Sequence, residues 1–353
     1  MKGELSFKIR ETYKKSTKKA AITLMKYLGS QVKPESKFNI RPRSVVVLAQ
    51  ERFGDLLVLT PLFKLLRQAF PDLDITVLGV TEIIKILDHD NNLTFVTNIK
   101  RASEAVKKKI FSCNYDLLYN TKDHPSFTFL KLTGKLHADH KVGILHPWHR
   151  GFFHHMLPLA DTMPTVEKNC ALLPYLGISL EDKDMQPYLP PGPVNDNVKK
   201  FVSQLRDNRV IGINLSASNR SKEWGIERWK FFLGQINEKV VVLATEEHEA
   251  DKKELEKSFA HILASPSTPT IFDVGWIIKH LGLLVTPDTA LVHVASCFNT
   301  PIVALYRLQR DLEKFKPLSE NKRIHVTATG VIDDISPRDV LVSFHSLWRE
   351  VNN

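Results

Sequence analysis

From Ser44 onward, short unbroken apolar runs alternate with stretches of helical periodicity. Ser44–Gln50 (SVVVLAQ) is apolar without alternation, the pattern of a parallel strand buried on both faces. Pro61–Phe70 then repeats at helical spacing, and Thr60 before Pro61 forms an N-cap with proline at the first helical position. Asp74–Val80 reads as a second strand. Thr94–Ile99, Asp116–Asn120 and Lys141–Ile144 read as further strands, with helical stretches between them. This alternation predicts a parallel sheet covered on both faces.

A polar, proline-rich stretch over 178–195 interrupts the pattern and predicts a linker. The alternation then restarts. Val210–Leu215, Val240–Thr245, His261–Ser265, Leu283–Thr286 and Pro301–Tyr306 predict strands. Ile226–Ile236, Glu246–Phe259, Ile271–His280 and Thr289–Phe298 predict helices, and Val340–Val351 a closing one. The expected organisation is therefore an arm over 1–43, one α/β domain over 44–177, a linker, and a second α/β domain over 196–353. No clear internal sequence repeat relates the halves. Two doubly wound domains place a ligand at the carboxyl ends of their strands, in the cleft between them.

Charge changes the picture at one end only. The chain carries a formal +10, of which residues 1–43 hold +9 and the remaining 310 only +1. A nearly neutral body argues against a nucleic-acid binder, which would carry its own basic face. Within the arm, Leu5, Ile9, Tyr13, Ala20, Leu24 and Leu28 form a helical stripe among lysines. A basic amphipathic helix of this kind predicts an anionic membrane surface as partner; docking on the body, or a floppy tail, is the alternative. The first residues have no apolar segment before a cleavage site, and no run reaches the ~20 apolar residues of a membrane span. Cys113, Cys170 and Cys297 are few and far apart, which fits a reducing cytoplasm rather than a disulfide framework.

Three loops that follow strands carry candidate chemistry. Glu51-Arg52-Phe53-Gly54-Asp55 follows the first strand. Gly54 permits close backbone approach, and Asp55 either takes a proton from a ligand or caps a helix and pairs with Arg52. Leu215–Trp224 combines Ser216, Ser218, Arg220 and Lys222, which suits a phosphate or carboxylate but also any polar surface loop. Thr286–His293 joins a strand to a helix whose free amides and dipole favour an anion; Asp288 or Thr289 as a plain N-cap is the other reading. The absence of Gly-x-Gly-x-x-Gly and Gly-Lys-Ser/Thr argues against a dinucleotide oxidoreductase or a phosphate-loop ATPase. Seven histidines lie within 124–155, without the carboxylate or cysteine pattern of a metal site. They read as a polar rim on the first domain, and no metal is expected.

These loops together resemble glycosyltransferase family 9, the heptosyltransferases. Its opening stands here as Arg52-Phe53-Gly54-Asp55-Leu56-Leu57-Val58-Leu59-Thr60-Pro61. Gly212-Ile213-Asn214 followed by Lys222-Glu223-Trp224 and Trp229 is similar to the family's second motif. Asp288-Thr289-Ala290-Leu291-Val292-His293-Val294-Ala295 is similar to its third. The sequence departs from the pattern at Ala290 and Asn299, where glycine is more usual, and at Arg307, where glycine follows the aromatic residue.

The resemblance implies a GT-B architecture, two Rossmann-like domains facing across a cleft. It implies an inverting, metal-independent transfer of a sugar from a nucleotide-sugar donor, typically ADP-heptose, to a lipid-linked anionic acceptor, the lipopolysaccharide core. No cofactor is implied. By position, Asp55 becomes the general base and Lys222 offsets charge on the leaving diphosphate. Ser216, Ser218, Thr289 and the amides of Ala290 and Leu291 assist it. Asp288 faces the sugar hydroxyls, Glu249 the ribose, and the backbone at Thr270 the base. His293 reads as a helix-packing residue. With the arm, this implies a cytoplasmic enzyme peripheral on the inner membrane face. The competing readings are a transferase using a different nucleotide sugar and a non-catalytic sugar-nucleotide-binding protein.

Overall fold

A computed structural model describes residues 20–23, 40–205 and 209–352. The first sheet has six parallel strands: β1 (Ser44–Leu48), β2 (Asp74–Gly79), β3 (Phe95–Asn98), β4 (Asn114–Asn120), β5 (His137–Ile144) and β6 (His155–Leu157). Their order is β3-β2-β1-β4-β5-β6. The second sheet has β7 (Ile211–Asn214), β8 (Val240–Leu243), β9 (Ile262–Leu263), β10 (Leu283–Pro287), β11 (Ile302–Tyr306) and β12 (Lys322–Val326), also all parallel. Its order is β12-β11-β10-β7-β8-β9. Numbered from its own first strand, each sheet reads 3-2-1-4-5-6, the order of dinucleotide-binding folds.

Contacts divide the chain into two units. The first runs to Glu51 and adds Leu62–Asp161 and Lys168–Leu180. The second holds Glu181–Asn353 together with Arg52–Pro61 and Thr162–Glu167. Arg52–Pro61 thus clusters with the second unit, although it directly follows β1.

In the first unit Val46, Leu48 and Leu78 from the sheet pack with Ile110, Phe129 and Leu132 from helices Glu104–Ser112 and Phe127–Lys135. In the second, Trp224 and Trp229 meet edge to face at 4.6 Å, in a cluster with Phe232 and Phe344. The indole of Trp224 also donates to Ile335 O at 3.0 Å, so the ring is both buried and satisfied. The loop that carries Lys222 is thereby anchored two residues beyond it. Helix Pro337–Asn352 closes this core with Val340, Phe344 and Leu347.

The predicted strands and helices stand within a few residues of their observed bounds, and the short helices Phe53–Leu57, Thr165–Cys170 and Asp196–Val202 join them, with three further elements of weak signal. β6 is only three residues long, β12 is an edge strand half exposed along its length, and Gln309–Phe315 is a helix with no buried residue. None of them offers a continuous apolar run. β5 begins earlier than expected because its first half, His137 to Lys141, is only half covered.

Most of the arm lies outside the described residues. In its described turn, 20–23, Ile22 is buried in the first unit's core while Ala20 is exposed. The residue that docks is therefore off the predicted stripe. Among the described residues no helix is long and apolar enough to cross a membrane.

Candidate functional site

In the second sheet the strand order reverses between β7 and β10, the point at which such folds bind ligands. The loops leaving these two strands hold most of the predicted residues. Asn214 ends β7 and is almost fully buried. Its amide nitrogen lies 2.9 Å from Thr286 Oγ1, 3.2 Å from Thr289 Oγ1 and 3.1 Å from Ser216 O. Its Oδ1 accepts from Ser216 N at 3.1 Å. One side chain thus joins both loops.

Thr289 caps helix Ala290–Cys297, its hydroxyl accepting from Leu291 N at 3.2 Å. The capping reading of Thr289 holds, and the Leu291 amide is already occupied. The first amides of any helix lack intrahelical acceptors, so this end still presents positive potential where β10 stops. Ala290 sits half-buried at the helix start.

Asp288 and Lys222 form a direct, close ion pair across the two loops. Asp288 is nearly buried. Burial raises its carboxyl pKa, and the Lys222 ammonium opposes that rise. The sequence reading gave these two residues separate partners in a ligand; in this structure each is the other's partner. Arg307, just after β11, and Asp311, in the first turn of helix Gln309–Phe315, complete a set of four charges. Arg307 reaches Ser221 Oγ at 3.4 Å and Asp311 at 3.6 Å. Sequence reasoning assigned Arg307 no role in the site and missed Asp311 altogether, because only the β10–β11 pairing brings them beside Asp288.

The serines of the loop after β7 differ from one another. Ser216 is buried; its hydroxyl accepts from Thr245 N at 2.6 Å and donates to Thr245 Oγ1 at 3.1 Å. It ties the β7 loop to the β8 loop. Ser218 is exposed, with Asn219 Nδ2 at 3.4 Å.

Gly54 and Asp55 belong to a short helix, Phe53–Leu57, with Asp55 in its first turn. This helix packs on Ala290–Cys297 at Gly54: a Cβ there would stand 2.7 Å from His293 Cδ2. A methyl group there would force one of the two helices or the imidazole to shift. His293 is buried and packs edge to face on Phe315 at 5.9 Å. Burial pushes its pKa down to about 4, so it is a neutral packing group, as its sequence position suggested.

Glu249 and Thr270 stand apart. Among the described residues, neither shares a hydrogen bond or ion pair with the Lys222–Asp288 pair. Glu249 opens the helix after β8 and pairs with Lys253 at 3.7 Å. Thr270 caps helix Ile271–Ile278 in a reciprocal box with Asp273: its hydroxyl accepts from Asp273 N and its own N–H donates to Asp273 Oδ2, both at 3.1 Å. Among the described residues no group of three or more histidine, cysteine, aspartate or glutamate side chains could hold a metal ion.

Comparison with known proteins gives the family and the fold. The family model of glycosyltransferase family 9 (heptosyltransferase) matches residues 104–336. A lipopolysaccharide heptosyltransferase 3 of Escherichia coli is 26% identical over 282 residues, covering 72% of this chain and 80% of the relative. A family 9 glycosyltransferase from Veillonella parvula superposes with a TM-score of 0.70 at 18% identity, covering 91% of this chain and 99% of that one. The E. coli heptosyltransferase WaaC solved with ADP gives 0.65 at 16% identity, covering 86% and 99%. With two Rossmann-like units and a family match over most of its length, this chain belongs to glycosyltransferase family 9, the heptosyltransferases, and is a glycosyltransferase of the GT-B fold.

Proposed function

We propose that the chain is an inverting, metal-independent transferase that moves a heptose-like sugar from ADP-heptose to a lipopolysaccharide core acceptor. One observation carries this reading: the Lys222–Asp288 pair stands at the start of the capped helix Ala290–Cys297, and the helix bearing Asp55 packs on that same helix. The relatives named for lipopolysaccharide heptosyl transfer, and the similar fold solved with ADP, support the choice of substrates.

In this reading the acceptor hydroxyl oxygen attacks the anomeric carbon while the bond from that carbon to the diphosphate oxygen breaks. Asp55 takes the hydroxyl proton, and the nucleoside diphosphate leaves with the bonding pair. A single displacement inverts the anomeric centre. Lys222 turns from Asp288 towards the leaving phosphate, and the helix start at Thr289, Ala290 and Leu291 adds its dipole. Ser218 adds a hydroxyl, while Ser216 holds the loop. These groups accelerate transfer because the charge they meet grows in the transition state. They supply the positive field that a metal ion would otherwise supply. Asp288, released by Lys222, accepts from sugar hydroxyls; Glu249 meets the ribose and the Thr270 backbone the base. Gly54 lets the base-bearing helix come close.

The reading extends to place: a cytoplasmic enzyme held reversibly on the inner membrane face by the lysine-rich arm. Sedimentation with anionic liposomes at low salt, released at high salt and lost on removal of residues 1–43, is the expected result; equal sedimentation without the arm overturns it. For the reaction, purified protein is offered a panel of nucleotide sugars with a chelator present, with and without a lipid-core acceptor. Acceptor-dependent ADP release from ADP-heptose is expected. Turnover confined to another nucleotide, or nucleotide binding without turnover, overturns the reading.

A further inference from the structure

Asn214 has no part in the reaction just described, yet it is the best-connected polar side chain at the site. It is 2% exposed, and its amide nitrogen has three acceptors within 3.2 Å: Ser216 O, Thr286 Oγ1 and Thr289 Oγ1. The residues it joins are 72 and 75 positions away in the chain. A role confined to ending β7 would need none of these long-range bonds.

The consequence falls on the hydroxyl of Thr289. A threonine hydroxyl has two acceptor lone pairs and one proton. Leu291 N–H meets one lone pair at 3.2 Å, and an Asn214 Nδ2 proton, one of two divided among three acceptors, meets the other at 3.2 Å. The group is then left to act as a donor. Its hydroxyl neighbour is Thr286 Oγ1 at 3.5 Å, long for an O–H···O bond. Thr286 itself donates to Pro287 O at 2.9 Å. The proton of Thr289 therefore has no good acceptor among the described residues, and it stands at a helix start beside the Lys222–Asp288 pair.

We propose that Asn214 is a positioning residue: by donating to Thr289 it sets that hydroxyl as an obligate donor to a phosphate oxygen of the nucleoside diphosphate, and it locks the β7 loop to the β10 loop in that geometry. This rests on the reading that the diphosphate lies at the start of helix Ala290–Cys297. Asparagine suits the role because its amide donates while its oxygen accepts Ser216 N. Aspartate at the same place would accept the Thr289 proton and remove it from the ligand.

The test is a double-mutant cycle of Asn214→Ala and Thr289→Ala, reading the affinities of ADP and of adenosine, with folding followed by thermal melting. Thr289→Ala is expected to weaken ADP but not adenosine. Asn214→Ala is expected to weaken ADP by about tenfold with adenosine unchanged. In the Thr289→Ala background the same change should cost ADP almost nothing, because its route to the ligand is gone. Where Asn214→Ala does not fold, Asn214→Asp, which keeps the acceptor for Ser216 N, takes its place in the same cycle. Additive losses, or equal losses for ADP and adenosine on changing Asn214, overturn the proposal alone. A Thr289→Ala protein whose preference for ADP over adenosine is intact overturns the diphosphate placement, and the proposal with it.

Discussion

Between β1 and β4 the first sheet reverses its strand order, and between β7 and β10 the second does the same. At the first reversal the loops bond to one another. Gln50 Nε2 donates to Thr121 O at 2.9 Å, and Thr121 Oγ1 donates to Leu48 O at 2.9 Å. Lys122 pairs with Glu51 at 3.0 Å and lies over the Phe129 ring, and Lys168 pairs with Asp123 at 3.0 Å. Both lysines are almost wholly buried. At the second reversal the Lys222 side chain keeps 18% of its exposure, and helix Ala290–Cys297 begins three residues after Pro287. The corresponding helix in the first unit begins only at Phe127, well beyond the end of β4 at Asn120. Equal topology therefore supplies equal places, while loop length and capping decide which place can take an anion.

The largest expected effect concerns Asp55, which lies in the helix after β1 but clusters with the second unit. Asp55→Asn is expected to lower turnover by about 10²–10⁴-fold with ADP affinity unchanged, measured by ADP release under saturating donor. Near-normal turnover would leave Asp55 a helix-start residue only. Next is a contrast between lysines. Lys222→Ala is expected to cost ADP binding about 1.5–3 kcal/mol more than adenosine binding, whereas Lys122→Ala should leave that difference untouched. Isothermal titration of both proteins with both ligands checks it; equal behaviour of the two lysines would break the comparison.

Gly54→Ala tests the packing that brings the two helices together. Its methyl group would meet His293, so a loss of about 1–3 kcal/mol in denaturant unfolding is expected, partly restored by adding His293→Ala. His293 also has a pH signature. Its pKa falls from 6.5 to about 4 on folding, so the unfolded chain binds more protons between those values. Stability should fall as pH drops through this window, and less steeply in His293→Ala. The smallest effect concerns Asn299, whose φ of 53° lies in the left-handed region. Glycine is the usual residue at such a position, and asparagine tolerates it. Asn299 also accepts from Glu320 N at 2.8 Å. Asn299→Ala is expected to cost about 1–2 kcal/mol, and Asn299→Gly less, by thermal melting.

The central strands were legible because burial on both faces leaves an unbroken apolar run, as in Val45–Leu48 and Val240–Leu243. Edge strands carry no such mark. Lys322–Val326 is half exposed and polar, and it is held by its register with β11 rather than by composition. The shared doubly wound topology of the sheets was legible in the restarting alternation of strands and helices, although no repeat in sequence accompanies it. At the site, Gly54, Asp55, Lys222 and Asp288 were visible as loop residues of suitable chemistry. Their partners were not. The Lys222–Asp288 pair and the Asn214–Thr289 bond join residues far apart in the chain, and they exist because β7 and β10 are neighbours. The need for Gly54 became visible only with His293 opposite it.

That contact between Gly54 and His293 also sets an order of events during synthesis. The β1–β2 pairing needs nothing beyond Gly79, so this part of the first sheet can form early. The segment Arg52–Pro61 cannot settle until His293 has emerged from the ribosome. At synthesis rates of about 5–20 residues per second, that delay is on the order of ten to fifty seconds. The segment carrying Asp55 is made among the first and finished among the last, so the nascent chain has the Asp55 carboxylate in place only once nearly the whole protein exists.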